Sequence, residues 1–77
     1  MTNTPSFPPK TVQEIISLGI SEKDVMDVWL TGESFKLDSG VDAMRKKYEG
    51  WGEIGLSYTR KHNGEYVITG VWTRPRA

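Results

Sequence analysis

The stretch Trp51-Gly-Glu-Ile-Gly-Leu-Ser-Tyr-Thr-Arg-Lys-His62-Asn63-Gly64-Glu65-Tyr-Val-Ile-Thr-Gly-Val-Trp-Thr-Arg74 sets two runs of β-branched and aromatic residues on either side of an Asn-Gly pair. A type I′ turn needs positive φ at both central residues, which Asn and Gly tolerate, so Asn63-Gly64 predicts a β-hairpin with a two-residue loop. That loop length sets a register: His62 opposite Glu65, Arg60 opposite Val67, Tyr58 opposite Thr69, Leu56 opposite Val71 and Ile54 opposite Thr73. These pairs form one face and read as a core. The other face collects Glu53, Gly55, Ser57, Thr59 and Lys61 against Tyr66, Ile68, Gly70, Trp72 and Arg74, and reads as a working surface.

Upstream of the hairpin, residues 1–9 carry three prolines and no charged side chain, which reads as an extended, flexible tail. Thr11 and Glu14 have the spacing of a capping box, predicting a helix from Val12 with Val12, Ile15, Ile16 and Leu18 at helical spacing and Gly19 as its stop. Ser21-Glu-Lys-Asp24 repeats the device for a second helix, with Val25, Val28 and Trp29 as its apolar stripe and Gly32 at its end. Glu33 to Asp38 alternates weakly around Phe35 and Leu37, as a short strand would. Val41, Met44 and Tyr48, followed by Gly50, favour a short helix or helical turn, with an irregular strand as the alternative. The resulting class is α+β: a single domain over residues 10–77 in which two N-terminal helices pack on a small antiparallel sheet ending in the Asn-Gly hairpin. Val12, Ile15, Val25, Val28 and Trp29 are the candidate partners of the hairpin's Ile54, Leu56, Val67 and Val71 face.

A chain of 77 residues has room for one domain. It contains no cysteine, hence no disulfide or thiolate metal site, which fits a reducing compartment. A single histidine cannot build a zinc site, and no cofactor is expected. No apolar run approaches the roughly 20 residues of a membrane span, and the N-terminus lacks the pattern of a secretory signal, so a cytoplasmic location without a membrane partner is expected. The formal net charge of zero conceals segregation: residues 1–43 hold three lysines against seven carboxylates, a net of −4, and residues 44–77 hold seven basic side chains against three carboxylates, a net of +4. A basic half can meet a polyanion whatever the net charge, because the field near a patch is set by charges within about a Debye length. The competing reading is that the acidic half docks on the basic half.

Aromatic rings interleaved with cations suit single-stranded RNA, whose bases stack on rings while phosphates meet Lys and Arg. Tyr66, Trp72, Lys61, Arg60 and Arg45 are therefore candidate binding residues, although Trp72 and Ile68 would equally serve a second core. RNA cleavage needs a base for the 2′-hydroxyl, cations for the phosphorane charge and an acid for the leaving oxygen. Arg74, Tyr48, Lys47 and Lys46 can supply these, and His62 is the side chain that ordinarily titrates nearest neutrality. The plainer reading makes Arg45-Lys46-Lys47 a solvated face and His62 a turn residue. Phosphate-binding glycine loops, nucleophile elbows and metal-spaced ligand sets are absent from the sequence.

Leu18-Gly-Ile-Ser-Glu-Lys-Asp-Val-Met-Asp-Val-Trp-Leu-Thr-Gly32 resembles a pattern of small bacterial and phage-borne domains related to the RelE and ParE toxins and, more broadly, to the barnase, colicin D and colicin E5 ribonucleases. The segment Tyr66-Val-Ile-Thr-Gly-Val-Trp-Thr-Arg74 is similar to that group's last strand. The resemblance implies two helices on an antiparallel sheet whose open face binds RNA, with Arg74 on phosphate and Tyr48, Lys46 or Lys47 nearby. Those domains usually open the first helix with a histidine and carry an arginine four positions later, where this chain has Lys10 and Glu14; a non-cleaving relative is thus one form of the same reading.

Three readings follow. The first is a toxin domain that binds RNA and cleaves it without a metal ion, its cognate partner being an acidic antitoxin or immunity-type protein. The second is a non-catalytic protein-binding module, such as a phage or bacterial regulator or inhibitor, anchored by Trp72, Tyr66 and Trp51, since aromatics and Arg dominate binding hot spots. The third is a homodimer joined through an exposed edge at Glu33 to Asp38 or Arg60 to Lys61.

Overall fold

The computed structural model describes residues 4–50 and 52–75. These form two helices, α1 (Pro9–Leu18) and α2 (Glu22–Thr31), followed by strands β1 (Glu33–Lys36), β2 (Asp42–Tyr48), β3 (Gly52–Arg60) and β4 (Tyr66–Pro75). The strands make one antiparallel sheet in the order β1-β2-β3-β4. The architecture is the α+β arrangement expected from the sequence. Among the described residues no helix is long and apolar enough to cross a membrane.

Both helices end as their sequences specify, but α1 starts differently. Gly19 takes a left-handed conformation at φ 73°, and the N–H groups of Gly19 and Ile20 donate to the carbonyls of Ile16 and Ile15. Pro9 occupies the first turn, where a missing N–H costs nothing, so α1 begins three residues before Val12 and the capping box at Thr11 does not form. Thr11 is instead 1% exposed, and its hydroxyl donates to the Ile68 carbonyl at 2.6 Å, pinning α1 to β4. The expected tail is also engaged on this strand: Ser6 pairs parallel with Val67, donating to Tyr66 O and accepting from Ile68 N. In α2 the capping box is complete, with Ser21 Oγ accepting from Asp24 N at 3.2 Å and Asp24 Oδ2 accepting from Ser21 N at 3.0 Å. Gly32 then lets the chain pass close to β2, where a Cβ would collide with the Val28 carbonyl and lie 2.8 Å from that of Arg45.

The segment favoured as a short helix is the strand β2. Asp38-Ser39-Gly40 closes a three-residue hairpin loop: Gly40 N donates to Leu37 O at 2.8 Å, Leu37 N donates to Val41 O at 2.9 Å, and Gly40 sits at φ 87°. A type I turn followed by a left-handed glycine launches a strand, and pairing on both sides then overrides the helix propensity of Ala, Met, Arg and Lys.

The C-terminal hairpin uses the same loop and so departs from the predicted turn. Among the described residues no residue other than glycine has positive φ, which rules out a type I′ turn at Asn63. His62-Asn63-Gly64 is a three-residue loop, with Gly64 N donating to Lys61 O at 2.9 Å, Lys61 N donating to Glu65 O at 2.8 Å and Gly64 at φ 88°. The register near the tip is therefore shifted by one residue, with Arg60 opposite Tyr66 and Tyr58 opposite Ile68. A bulge restores the predicted pairing further along: Thr69 is the extra residue in β4, after which Leu56 meets Val71 and Ile54 meets Thr73 as expected.

The shift exchanges side chains between faces. Ile68, expected on the working surface, is 0% exposed and joins Ile15, Val25, Val28, Ile54, Leu56 and Val71 in the core beneath the helices. Val67, expected in the core, lies outside that cluster. Tyr66 moves to the helix side as well, its ring 5.2 Å from Trp29 and 5.7 Å from Tyr58. Ile68→Ala is expected to lose about 2–5 kcal/mol of stability and Thr69→Ala less than about 1 kcal/mol, as read by urea unfolding. The reverse ranking would restore the two-residue-loop register.

Candidate functional site

Strand β2 divides the basic run Arg45-Lys46-Lys47-Tyr48 between two faces, since successive side chains point to opposite sides of a sheet. Lys46 and Tyr48 turn toward the helices and converge on Asp27 of α2. The Lys46 ammonium donates to Asp27 Oδ2 and to Thr31 Oγ1, each at 2.8 Å, while the Tyr48 hydroxyl donates to Asp27 Oδ2 at 2.7 Å. Thr31 also donates to the Asp27 carbonyl at 2.8 Å. These bonds clamp α2 to the sheet. Hydrogen bonds from Lys46 and then Tyr48 hold the Asp27 carboxyl below its ordinary value, while burial, reinforced by the Asp27 carboxylate, pushes the Tyr48 phenol up. Lys46 and Tyr48, two of the expected catalytic groups, thus face away from Arg74.

Arg45 and Lys47 project from the other face, which no helix covers among the described residues. There Glu53 of β3 is flanked by Arg45 and Arg74, with Nε to carboxylate distances of 4.0 and 3.9 Å. Lys47 is the neighbour of Glu53 across β2–β3. Glu53 is 8% exposed, whereas the Arg74 side chain is 73% exposed. Arg45 is the fixed member of the pair: its guanidinium lies 4.8 Å from the centre of the Phe35 ring and 3.7 Å from Glu33. Phe35 in turn meets Trp72 edge to face, with ring centres 6.3 Å apart.

The Trp72 indole lies over Gly55 on the neighbouring strand. A Cβ on Gly55 would collide with the Trp72 ring, so the glycine serves as the floor on which the ring rests. A depression of about 280 Å³ is lined by Phe35, Leu37, Arg45 and Trp72, one of about 560 Å³ by Lys47, Tyr48, Gly52 and Pro75, and a third of about 290 Å³ by Glu33, Arg45, Lys47 and Glu53 with the end of α2. Glu53 lines all three, and Arg74 lines the first two.

The remaining expected site residues stand elsewhere. His62 and Lys61 are at the hairpin tip, beside a groove shared with Arg60. Arg60 lies seven steps along β3 from Glu53, about 23 Å at roughly 3.3 Å per residue, so His62 cannot act on a phosphate held by Arg74. Arg60 lies 5.8 Å from the Tyr66 ring and pairs with Tyr66 on one side, the β2–β3 pairing ends at Ser57 on the other, and β1 is an outer strand. Trp51, an expected anchor, lies outside the described residues. Sequence reasoning missed Glu53 and Phe35. Glu53 was legible as the residue opposite Arg74; Phe35 needed the position of β1, which only the β2 assignment supplies.

Among the described residues no three His, Cys, Asp or Glu side chains gather to hold a metal ion. Comparison with protein-family models, with curated proteins and with solved structures gives no match.

Two outcomes follow. A carboxyl held below its ordinary value stabilises the fold above that value, and its contribution is lost as pH falls through the lowered one. Wild type should therefore lose stability below the usual Asp value of 3.8, and Asp27→Asn should be less stable at neutral pH with a flatter acid limb, as read by melting temperature against pH. Gly55→Ala should displace Trp72, detected as altered near-ultraviolet dichroism, at a cost of about 1–3 kcal/mol.

Proposed function

We propose that the helix-free face of the sheet binds single-stranded RNA, with bases against Phe35 and Trp72 and phosphates on Arg45, Lys47 and Arg74. One observation carries this reading. The guanidinium to carboxylate distances at Glu53 are ion-pair distances rather than hydrogen-bond distances, so both arginines still have N–H donors to offer a phosphate, and they stand beside a partly exposed aromatic pair. A base on the rings and a phosphate on the guanidiniums is the combination by which proteins hold single strands. The resemblance of the chain to RelE-like toxin domains supports the same choice of ligand. An anchor surface made jointly by Trp72 and Tyr66 is disfavoured, because these residues lie on opposite faces.

Metal-independent cleavage is the second reading, favoured by the position of Glu53. A carboxylate able to accept a 2′-hydroxyl proton lies within 4.0 Å of cations able to stabilise the developing phosphorane charge. In this reading Glu53 takes the part assigned from sequence to Tyr48, Lys46 or His62.

Binding is measured by fluorescence anisotropy with a labelled 2′-O-methyl pentanucleotide, which cannot be cleaved through its 2′-oxygen. Arg45→Ala and Arg74→Ala should each weaken it about tenfold and flatten its salt dependence, and Trp72→Ala should remove about 1–3 kcal/mol. No binding at low salt, or binding indifferent to both arginines, overturns the RNA reading. Incubation of unmodified RNA with wild type in the presence of a chelator tests cleavage: Glu53→Gln should slow it at least about hundredfold. Intact RNA with the wild type would leave binding alone.

A further inference from the structure

We infer that Glu53 sets the charge selectivity of this face, cutting the advantage that the doubly charged phosphomonoester at a strand end would otherwise hold over the singly charged phosphodiesters inside a strand. The inference rests on the RNA-binding reading. Its basis is that Glu53 is fixed while the arginine best able to leave it is not. The carboxylate sits on the central strand β3, 8% exposed and flanked by Arg45 and Arg74, and it borders all three depressions. Any phosphate that engages both guanidiniums therefore comes close to a negative charge that cannot withdraw.

The consequence follows from counting charges at the docking point. A diester brings one negative charge to two arginines and one carboxylate, leaving the cluster neutral. A monoester near pH 7.5 brings close to two, and the second charge meets Glu53 as well as the arginines. Removing Glu53 restores to each phosphate charge the attraction that the carboxylate had cancelled, so the dianion gains twice what the monoanion gains. Lys47 adds attraction for both ligands and leaves this difference in place.

The test is competition against the labelled 2′-O-methyl pentanucleotide by two unlabelled ligands: a 2′-O-methyl dinucleoside monophosphate, which carries one diester, and a nucleoside 5′-monophosphate. The quantity read is the inhibition constant of the monoester divided by that of the diester. In Glu53→Gln this ratio should fall about tenfold while both ligands bind more tightly. A control needing no substitution lowers the pH to 5, where the monoester is mainly singly charged. With wild type the ratio should then rise by less than about threefold, because Glu53 has already cancelled much of the attraction for the second charge. An unchanged ratio in a folded Glu53→Gln protein, or a variant that weakens both ligands, overturns the selectivity while leaving RNA binding intact. If Glu53→Gln fails to fold, a wild-type ratio that rises about tenfold or more between pH 7.5 and pH 5 overturns it. Failure of the pentanucleotide to bind wild type is the separate result that removes the RNA reading and this inference together.

Discussion

The arrangement of both faces depends on how β4 adds one residue, Thr69, to its pairing with β3. A side-chain period of two means that a one-residue slip sends every following side chain to the opposite face. The three-residue loop at His62-Asn63-Gly64 introduces such a slip at the tip, and the bulge cancels it halfway along the strand. Tyr66 and Ile68 consequently join Val71 beneath the helices, and Trp72 and Arg74 stand on the open side. Without the bulge, a tip-set register would carry Trp72 and Arg74 inward and leave Val71 outside. The strand is held at this point by groups outside the hairpin: Thr11 donates to the carbonyl of Ile68, and Ser6 bonds on either side of Val67. The N-terminal segment thus fixes the β4 edge immediately before the residue where the phase changes.

Strand β2 applies the same period to charge. Its even-numbered side chains Lys46 and Tyr48 meet one carboxylate, Asp27, across the helix side, and Arg45 and Lys47 flank another, Glu53, on the open side. The two carboxylates differ in what they leave available. Asp27 accepts short hydrogen bonds at 2.7 and 2.8 Å that engage the Lys46 ammonium and the Tyr48 hydroxyl in holding α2. Glu53 stands 3.9 to 4.0 Å from its arginines, close enough for attraction and too far for a hydrogen bond. One cluster is therefore a completed structural joint, and the other keeps donors in reserve.

The parts of this fold legible in the sequence were those governed by local chemistry. Ser21 and Asp24 specify a capping box and Gly19 a left-handed helix end, and both formed as read. The Asn-Gly pair correctly marked a hairpin but not its length, because Asn63 fits a type I turn before a left-handed Gly64 as readily as a type I′ turn; its side chain accepts from Glu65 N at 3.0 Å. The same chemistry stands in Asp38-Ser39-Gly40 ahead of β2, yet the spacing of Val41, Met44 and Tyr48 before Gly50 favoured a short helix. Tertiary pairing on both sides of the strand decided the matter. Misreading β2 had the larger effect on the candidate site, since a helix would present Arg45, Lys46 and Tyr48 at neighbouring angles, whereas a strand separates Arg45 from the other two. Glu53 was visible opposite Arg74, but its burial between two guanidiniums required β2 to lie alongside β3.

The charge segregation of the chain acquires a physical meaning from this geometry. Part of the acidic half does dock on the basic half, through Asp27 with Lys46 and Glu33 with Arg45. The docking is incomplete on the open face. Arg45 and Arg74 share the carboxylate of Glu53 there, Lys47 stands beside it, and the Arg74 side chain remains largely in solvent, where an ion pair near 4 Å contributes little and is easily exchanged for another anion. A chain with no net charge can in this way carry a cationic surface, provided its cations there outnumber the carboxylates beside them and are held on rigid strands. The same strands set the aromatic pair Phe35 and Trp72 beside these cations, and that juxtaposition is what the proposed RNA binding rests on.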